Sequence, residues 1–154
     1  MPEKRLEKLG IKLPPAPEPV ASYVPAVTTG NLVFVSGQIP IVEKKLVSEG
    51  IVGRDLSLEE AKVAARTCIL NVLAVLKKEL GTLDRVKKIV RLSGYVASAP
   101  GFTEQPAVIN GASDLLVDVF GDETGKHSRI AVGVASLPLN SPVEIDLIVE
   151  IEQG

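Results

Sequence analysis

Between Ser128 and Ile151 apolar residues alternate with others at a period of two, in two runs separated by L-P-L-N-S-P. Such alternation marks half-buried strands, and the short Pro- and Asn-containing break predicts that they form an antiparallel pair. In the first run Ile130, Val132 and Val134 share one face, with Arg129, Ala131, Gly133 and Ala135 on the other. In the second, Val143, Ile145, Leu147 and Val149 alternate with Glu144, Asp146 and Glu150. A slip of one residue would bury the acids, so the register is strongly specified. With the apolar faces aligned, the Arg-Ala-Gly-Ala face is level with the acidic face. That makes a shallow floor with one cation and several carboxylates, where small residues leave room for a ligand or another backbone. Arg129 is at the far end of its strand and Glu144 near the turn, so the two are expected roughly 15–20 Å apart at ~3.3 Å per residue. If both serve one pocket, they must come from different subunits.

The same pattern organises the rest of the chain. Residues 24–28 and 32–36 read as strands joined by T-T-G-N, with Gly30 and Asn31 supplying the positive φ of a tight hairpin. Residues 45–47 and 51–54 are candidate short edge strands. Leu58 to Leu80 is the clearest helix: Ser57 and Glu60 make a capping box, Gly81 is the stop, and Ala61, Ala65, Cys68, Val72 and Val75 form an apolar stripe. Ile69, Leu73, Leu76 and Leu80 widen that stripe until it can lie on a sheet. Residues 86–98 return to period two, with Val86, Val90, Leu92 and Val96 on one face and Ile89, Arg91, Ser93 and Tyr95 on the other. Residues 106–120 form a second helix, opened by Pro106 and ended by Gly121. Ahead of all this, residues 1–22 start with a charged segment and continue into four prolines between Pro14 and Pro19, which predict an extended Pro-rich arm over the surface. The order β-β-(β)-α-β-α-β-β, without repeat or linker, gives a single α+β domain over residues 23–154: two layers, with both helices on one face of a mixed sheet. The uncovered sheet face is not very polar, and such a face usually meets a partner subunit.

Composition narrows the chemistry. The chain has 154 residues, 45% of them hydrophobic, and a formal net charge of −2, which suits one domain with a sizeable core. Aromatics make up only 3%, and there is no basic excess, so a nucleic-acid surface is not expected. One Cys and one His exclude an internal disulfide and remove most zinc and triad arrangements. No run approaches a membrane span and no signal peptide heads the chain, so a cytoplasmic location without membrane contact is expected.

Seven positions could carry chemistry. Arg129 stands over Ala131 and Gly133; it is either an edge arginine paired to Glu150 or a planar fork for a carboxylate. Glu144 is either a solvated strand acid or a group that orients or deprotonates water. Tyr23 reads as a packing anchor by default, and Ser36 as a turn residue. Asn110, followed by Gly111, is a poor helix former inside a helix, so a close approach or a side-chain contact is expected there. Cys68 belongs to the core stripe, and His127 reads as a solvated turn.

Together S-G-Q-I-P after an apolar strand, the helix V-I-N-G-A-S-D-L-L-V-D-V-F-G, and R-I-A-V-G-V-A-S-L-P-L followed by V-E-I-D resemble the RidA (YjgF) family of enamine/imine deaminases. Many of its members are labelled endoribonuclease L-PSP. The resemblance spans roughly residues 23–151 and implies a chorismate-mutase-like fold assembled as a homotrimer with pockets at the subunit interfaces. It implies that Arg129 binds a substrate carboxylate and Glu144 holds the attacking water, with Tyr23, Ser36 and Asn110 at further pocket positions. Ala131 stands where the family often has Cys, and the arm is longer than usual, resembling a longer-armed branch. The expected reaction is hydrolysis of a small 2-imino or 2-enamino acid to the 2-keto acid and ammonia, without metal or organic cofactor. Two rivals follow from the same residues: a non-catalytic binder of small carboxylates, and an endoribonuclease, which one histidine and an acidic surface serve poorly.

Overall fold

The computed structural model describes residues 1–19 and 21–153. A five-stranded mixed sheet is built from β1 (Ala26–Thr29), β2 (Leu32–Gln38), β5 (Val86–Ala97), β6 (Ser128–Val134) and β7 (Val143–Ile151), in the order β1-β2-β7-β5-β6. Two helices, α2 (Leu58–Leu80) and α3 (Gln105–Gly125), lie side by side on one face, α2 chiefly over β7 and α3 over β5. This is the expected two-layer α+β architecture. A two-stranded hairpin, β3 (Ile41–Val42) with β4 (Lys45–Leu46), stands apart and is anchored by the buried Asn71 of α2, whose Nδ2 donates to the carbonyls of Ile39 and Ile41.

Local chemistry accounts for the elements. Ser57 Oγ accepts from Glu60 N, Glu60 Oε1 accepts from Ser57 N, and Gly81 closes α2 at φ 83°. All nine stripe residues of α2 are buried, Cys68 among them. Removal from water pushes the Cys68 thiol pKa well up, and the nearby Glu144 adds to this, so Cys68 is a core residue rather than a nucleophile. In the β1–β2 turn Gly30 alone takes positive φ, whereas Asn31 turns its side chain to Glu150 Oε2, 2.9 Å away. Gly111 marks a close approach of the two helices, since a Cβ there would collide with the backbone carbonyl of Lys62. Gly121, at φ 82°, breaks α3 and lets a last turn run on to Gly125.

Four expectations are corrected. First, β6 and β7 are not partners: β5 lies between them, parallel to β6 and antiparallel to β7. A crossover through a helix makes a parallel neighbour, so α3 returns the chain beside β5. Second, register shifts between Val86 and Lys88 and between Ile89 and Arg91 move Ile89 into the core, away from the face of Arg91, Ser93 and Tyr95. Third, residues 51–54 form no strand; Val52 makes isolated bridges to Leu56 and Ser98. Fourth, the N-terminal segment does not begin as an extended arm. Pro2–Lys8 is a helix, α1, that buries Leu6 and docks on α3. Its Glu3 accepts from Lys77 Nζ at 2.8 Å and from Leu83 N at 2.8 Å, and these contacts outweigh burial and lower its pKa. The Pro-rich part that follows lies across α2, with Ile11, Leu13 and Ala16 against the core and Glu18 paired to Lys78; Val20 falls outside the described residues.

Candidate active site

The insertion of β5 decides which side chains share a face. Cross-strand partners point the same way. Arg129 is level with Leu92, and Leu92 with Leu147, which is buried under the helices. Arg129, Ala131 and Gly133 are therefore on the helix face of β6, at the edge of the sheet. Ile130 pairs with Ser93 and Ser93 with Asp146; Val132 pairs with Tyr95 and Tyr95 with Glu144. The acids thus share the open face with Ile130 and Val132, and the expectation that Arg129 and Glu144 look onto one floor is reversed. Besides standing on opposite faces, they are separated by two strand spacings and three residues, roughly 10 Å across and 10 Å along.

Cys68 aside, the candidates sort into two clusters. The first gathers around Arg129. Its Nη1 donates to Asn110 Oδ1 at 2.8 Å and to Ser113 Oγ at 3.2 Å, which supplies the side-chain contact expected of Asn110. Asn110 and Ser113 are three apart on α3 and so project side by side. Among the described residues no carboxylate pairs with Arg129, and Glu150 is taken by Asn31 instead. Ala131 lies half-buried beside the core, opposite Gly94. His127 Nδ1 lies 2.6 Å from the Gly125 carbonyl and Nε2 3.0 Å from Ser113 Oγ, so the ring is part of the structure, not a solvated turn. Burial lowers its pKa and the Arg129 and Lys88 charges lower it further, against the opposing pull of the Gly125 carbonyl. Ser113, His127 and Arg129, with Asp114, Val117 and Lys126, border an open depression of about 310 Å³.

The second cluster is on the open face. Glu144 lies against Gly37, where any Cβ would strike its carboxylate. Its pKa is raised by burial and then by Asp146 two residues on; that of Asp146 is raised by burial against the hydrogen bonds of Tyr95 and Ser93. Tyr95 O–H donates to Asp146 Oδ2 at 3.2 Å. Ser36, next to Gly37, donates from Oγ to the Val24 carbonyl at 2.8 Å and so ties down the backbone just after Tyr23. Tyr23 is 53% exposed and takes no part in the hydrophobic core. Around these groups Val27, Phe34 and Ile130 are 52%, 41% and 40% exposed.

Sequence reasoning passed over Ser113, His127, Ser93 and Tyr95 as site residues. The N-x-x-S spacing from Asn110 to Ser113 was a usable signal; the partnership of His127 with a residue on another element was not. Larger depressions, of about 700 and 590 Å³, lie along the N-terminal segment and include no residue of either cluster. Among the described residues no group of three His, Cys, Asp or Glu side chains could hold a metal ion, and no helix is long and apolar enough to cross a membrane.

A helix-backed mixed sheet, with an arginine at its edge and paired acids on its bare face, defines a chorismate-mutase-like α+β protein. A family model described as "YjgF/chorismate mutase-like, putative endoribonuclease" matches residues 3–151, and the chain belongs to this family, which includes imine deaminases as well as proteins named as endoribonucleases. It is 48% identical over 146 residues to protein TCP17 of Trypanosoma cruzi, covering 95% of this chain and 91% of that one. An Agrobacterium tumefaciens protein of unknown function shares the fold at a TM-score of 0.90 and 49% identity, covering 98% of this chain and 92% of that one. A 2-iminobutanoate/2-iminopropanoate deaminase of Dermatophagoides farinae is 30% identical over 142 residues, or 92% of this chain and 95% of that one.

Proposed function

We propose that this protein hydrolyses small 2-imino or 2-enamino acids to 2-keto acids and ammonia, in pockets completed between the subunits of a homotrimer. The observation that carries this reading is the company Arg129 keeps: both its partners, Asn110 and Ser113, are neutral. Its charge is held in place but not cancelled, as capture of a carboxylate requires. Glu144 supplies the complementary half, a carboxylate whose raised pKa brings it nearer to the neutral range in which it can take a proton from water and return it to the departing amine. In the reaction, water adds to the C=N carbon as one of its protons passes through Glu144 to nitrogen; the hydroxyl proton of the tetrahedral intermediate then follows the same route, the C–N bond breaks, and ammonia leaves as the C=O bond forms. Imines hydrolyse unaided, so holding water and substrate in register is most of the task.

Because the two halves face opposite ways in one chain, the reading requires a neighbour. The exposed Val27, Phe34 and Ile130 around the acid cluster favour a subunit covering that face. A coupled assay with freshly generated 2-aminoacrylate tests the proposal, the expected result being faster release of ammonia and pyruvate than in buffer. No acceleration, together with retained binding of 2-oxobutanoate, would point to the carboxylate-binding rival, which Ala131, standing where the family resemblance implies Cys, keeps open. Cleavage of single-stranded RNA at physiological salt, lost on Glu144→Gln, would point to the nuclease.

A further inference from the structure

We propose that Ser113 and His127 are positioning residues for Arg129, forming a hydrogen-bond relay that runs from the Gly125 carbonyl to the guanidinium and sets where a substrate carboxylate is held. The proposal rests on Arg129 being the carboxylate-binding group.

The direction of each bond follows from chemistry. A carbonyl oxygen only accepts, so His127 Nδ1 carries a proton and donates to Gly125 at 2.6 Å. The neutral ring then has a lone pair on Nε2, which accepts the Ser113 hydroxyl proton at 3.0 Å. With its proton committed, Ser113 Oγ offers its lone pairs to the Arg129 Nη1 proton at 3.2 Å. Asn110 accepts from the same nitrogen, 2.8 Å away. Nη1 is thereby engaged from α3, and the remaining guanidinium nitrogens have no side-chain partner among the hydrogen bonds of the described residues. A charged His127 would donate at Nε2, freeing the serine hydroxyl to rotate. The cations facing the ring, Arg129 and Lys88, oppose that charge, as does burial.

The arrangement does not suit Ser113 as a nucleophile. Its oxygen accepts from a cation, which withdraws electron density, and the ring is oriented by a neutral carbonyl rather than a carboxylate that would stabilise an imidazolium. The relay orients; it does not attack.

Because His127 is the sole histidine, its ring nitrogens can be observed without assignment ambiguity. In the full-length protein at neutral pH, ¹⁵N NMR should find a neutral ring protonated on Nδ1; an Nε2–H tautomer or a charged ring would overturn the relay. Ser113→Ala and His127→Ala should raise KM for the imino acid and Kd for 2-oxobutanoate about five- to tenfold while kcat stays within about twofold, the scale of one ordinary hydrogen bond. His127→Gln puts an amide oxygen near Nε2 and should restore values close to wild type; equal impairment of His127→Gln and His127→Ala would contradict positioning. Guanidinium N–H signals of Arg129 give a readout that needs no substrate: distinct in wild type, merged by rapid rotation in Ser113→Ala. If those signals behave so while Arg129→Lys leaves 2-oxobutanoate binding intact, the relay stands as a device of the fold and the carboxylate reading fails. Signals unchanged by Ser113→Ala would remove the relay itself.

Discussion

The arginine cluster and the carboxylate cluster are built from opposite principles. At the helix-face edge, Arg129 is held by two neutral acceptors that fix its direction and leave its charge available. On the open face Glu144 and Asp146 are partly buried, which pushes both toward protonation, and the charge of Asp146 pushes Glu144 further. A cation held by neutral groups suits binding, and an acid of raised pKa suits proton transfer. Neither cluster borrows a countercharge from the other, since the sheet separates them. On the proposed reading each is, within one chain, half a site.

The contrast can be broken at either end. Glu144→Gln keeps the shape but removes the base, so the largest effect is expected here: kcat lower by roughly 10²–10⁴-fold with 2-oxobutanoate binding little changed, as read by steady-state kinetics beside calorimetry. A parallel loss of binding would make Glu144 part of the carboxylate site instead. Arg129→Lys should show the reverse bias, lowering kcat/KM roughly ten- to a hundredfold mainly through KM, because an ammonium has the charge but not the planar fork. Wild-type kcat/KM in that variant would mean that the substrate carboxylate is held elsewhere.

A smaller effect sharpens the acid end. Glu144 must be ionised to accept a proton, and burial and then Asp146 raise its pKa above the ordinary 4.5. The acid limb of kcat/KM should therefore lie above pH 4.5. Asp146→Asn removes the repulsion while leaving an oxygen for the Tyr95 hydroxyl, so the limb should move to lower pH. For stability the sign is opposite to that of a salt-bridged acid. A folded-state pKa above the unfolded one means that the contribution of Glu144 is complete below its unfolded pKa and falls as pH rises through the folded one. Acid limbs that coincide in wild type and Asp146→Asn would show that the two acids do not interact.

Much of this was legible in the chain. The boundaries of α2, its capping box and its buried stripe follow from spacing alone, as does the two-layer α+β architecture. Pairing was not legible. Two alternating runs joined by a short break predict a hairpin, but nothing in either run announces that β5, some forty residues upstream, will insert between them. That insertion sent Arg129 to the helix face. The bulges in β5 were equally hidden, because a period-two reading assumes an unbroken pleat, and Ile89 moved faces as a result. The helical start of the N-terminal segment depended on Glu3 finding Lys77 and Leu83, contacts about eighty residues apart. His127 was discounted for a similar reason: its partner Ser113 belongs to α3, and its role exists only once the elements meet.

The claim that the two clusters meet only between subunits is tested most directly by complementation. Arg129→Ala and Glu144→Gln chains, each nearly inactive alone, are co-expressed with different tags, and mixed oligomers are purified through both. If a pocket takes its arginine from one subunit and its glutamate from the next, mixed assemblies contain pockets in which both residues are intact. In a trimer that holds both chain types, one pocket of the three is of that kind, so about a third of wild-type turnover should return. If the mixed oligomers are no more active than the average of their inactive parents, Arg129 and Glu144 do not complete a pocket across the interface, and the divided site is wrong.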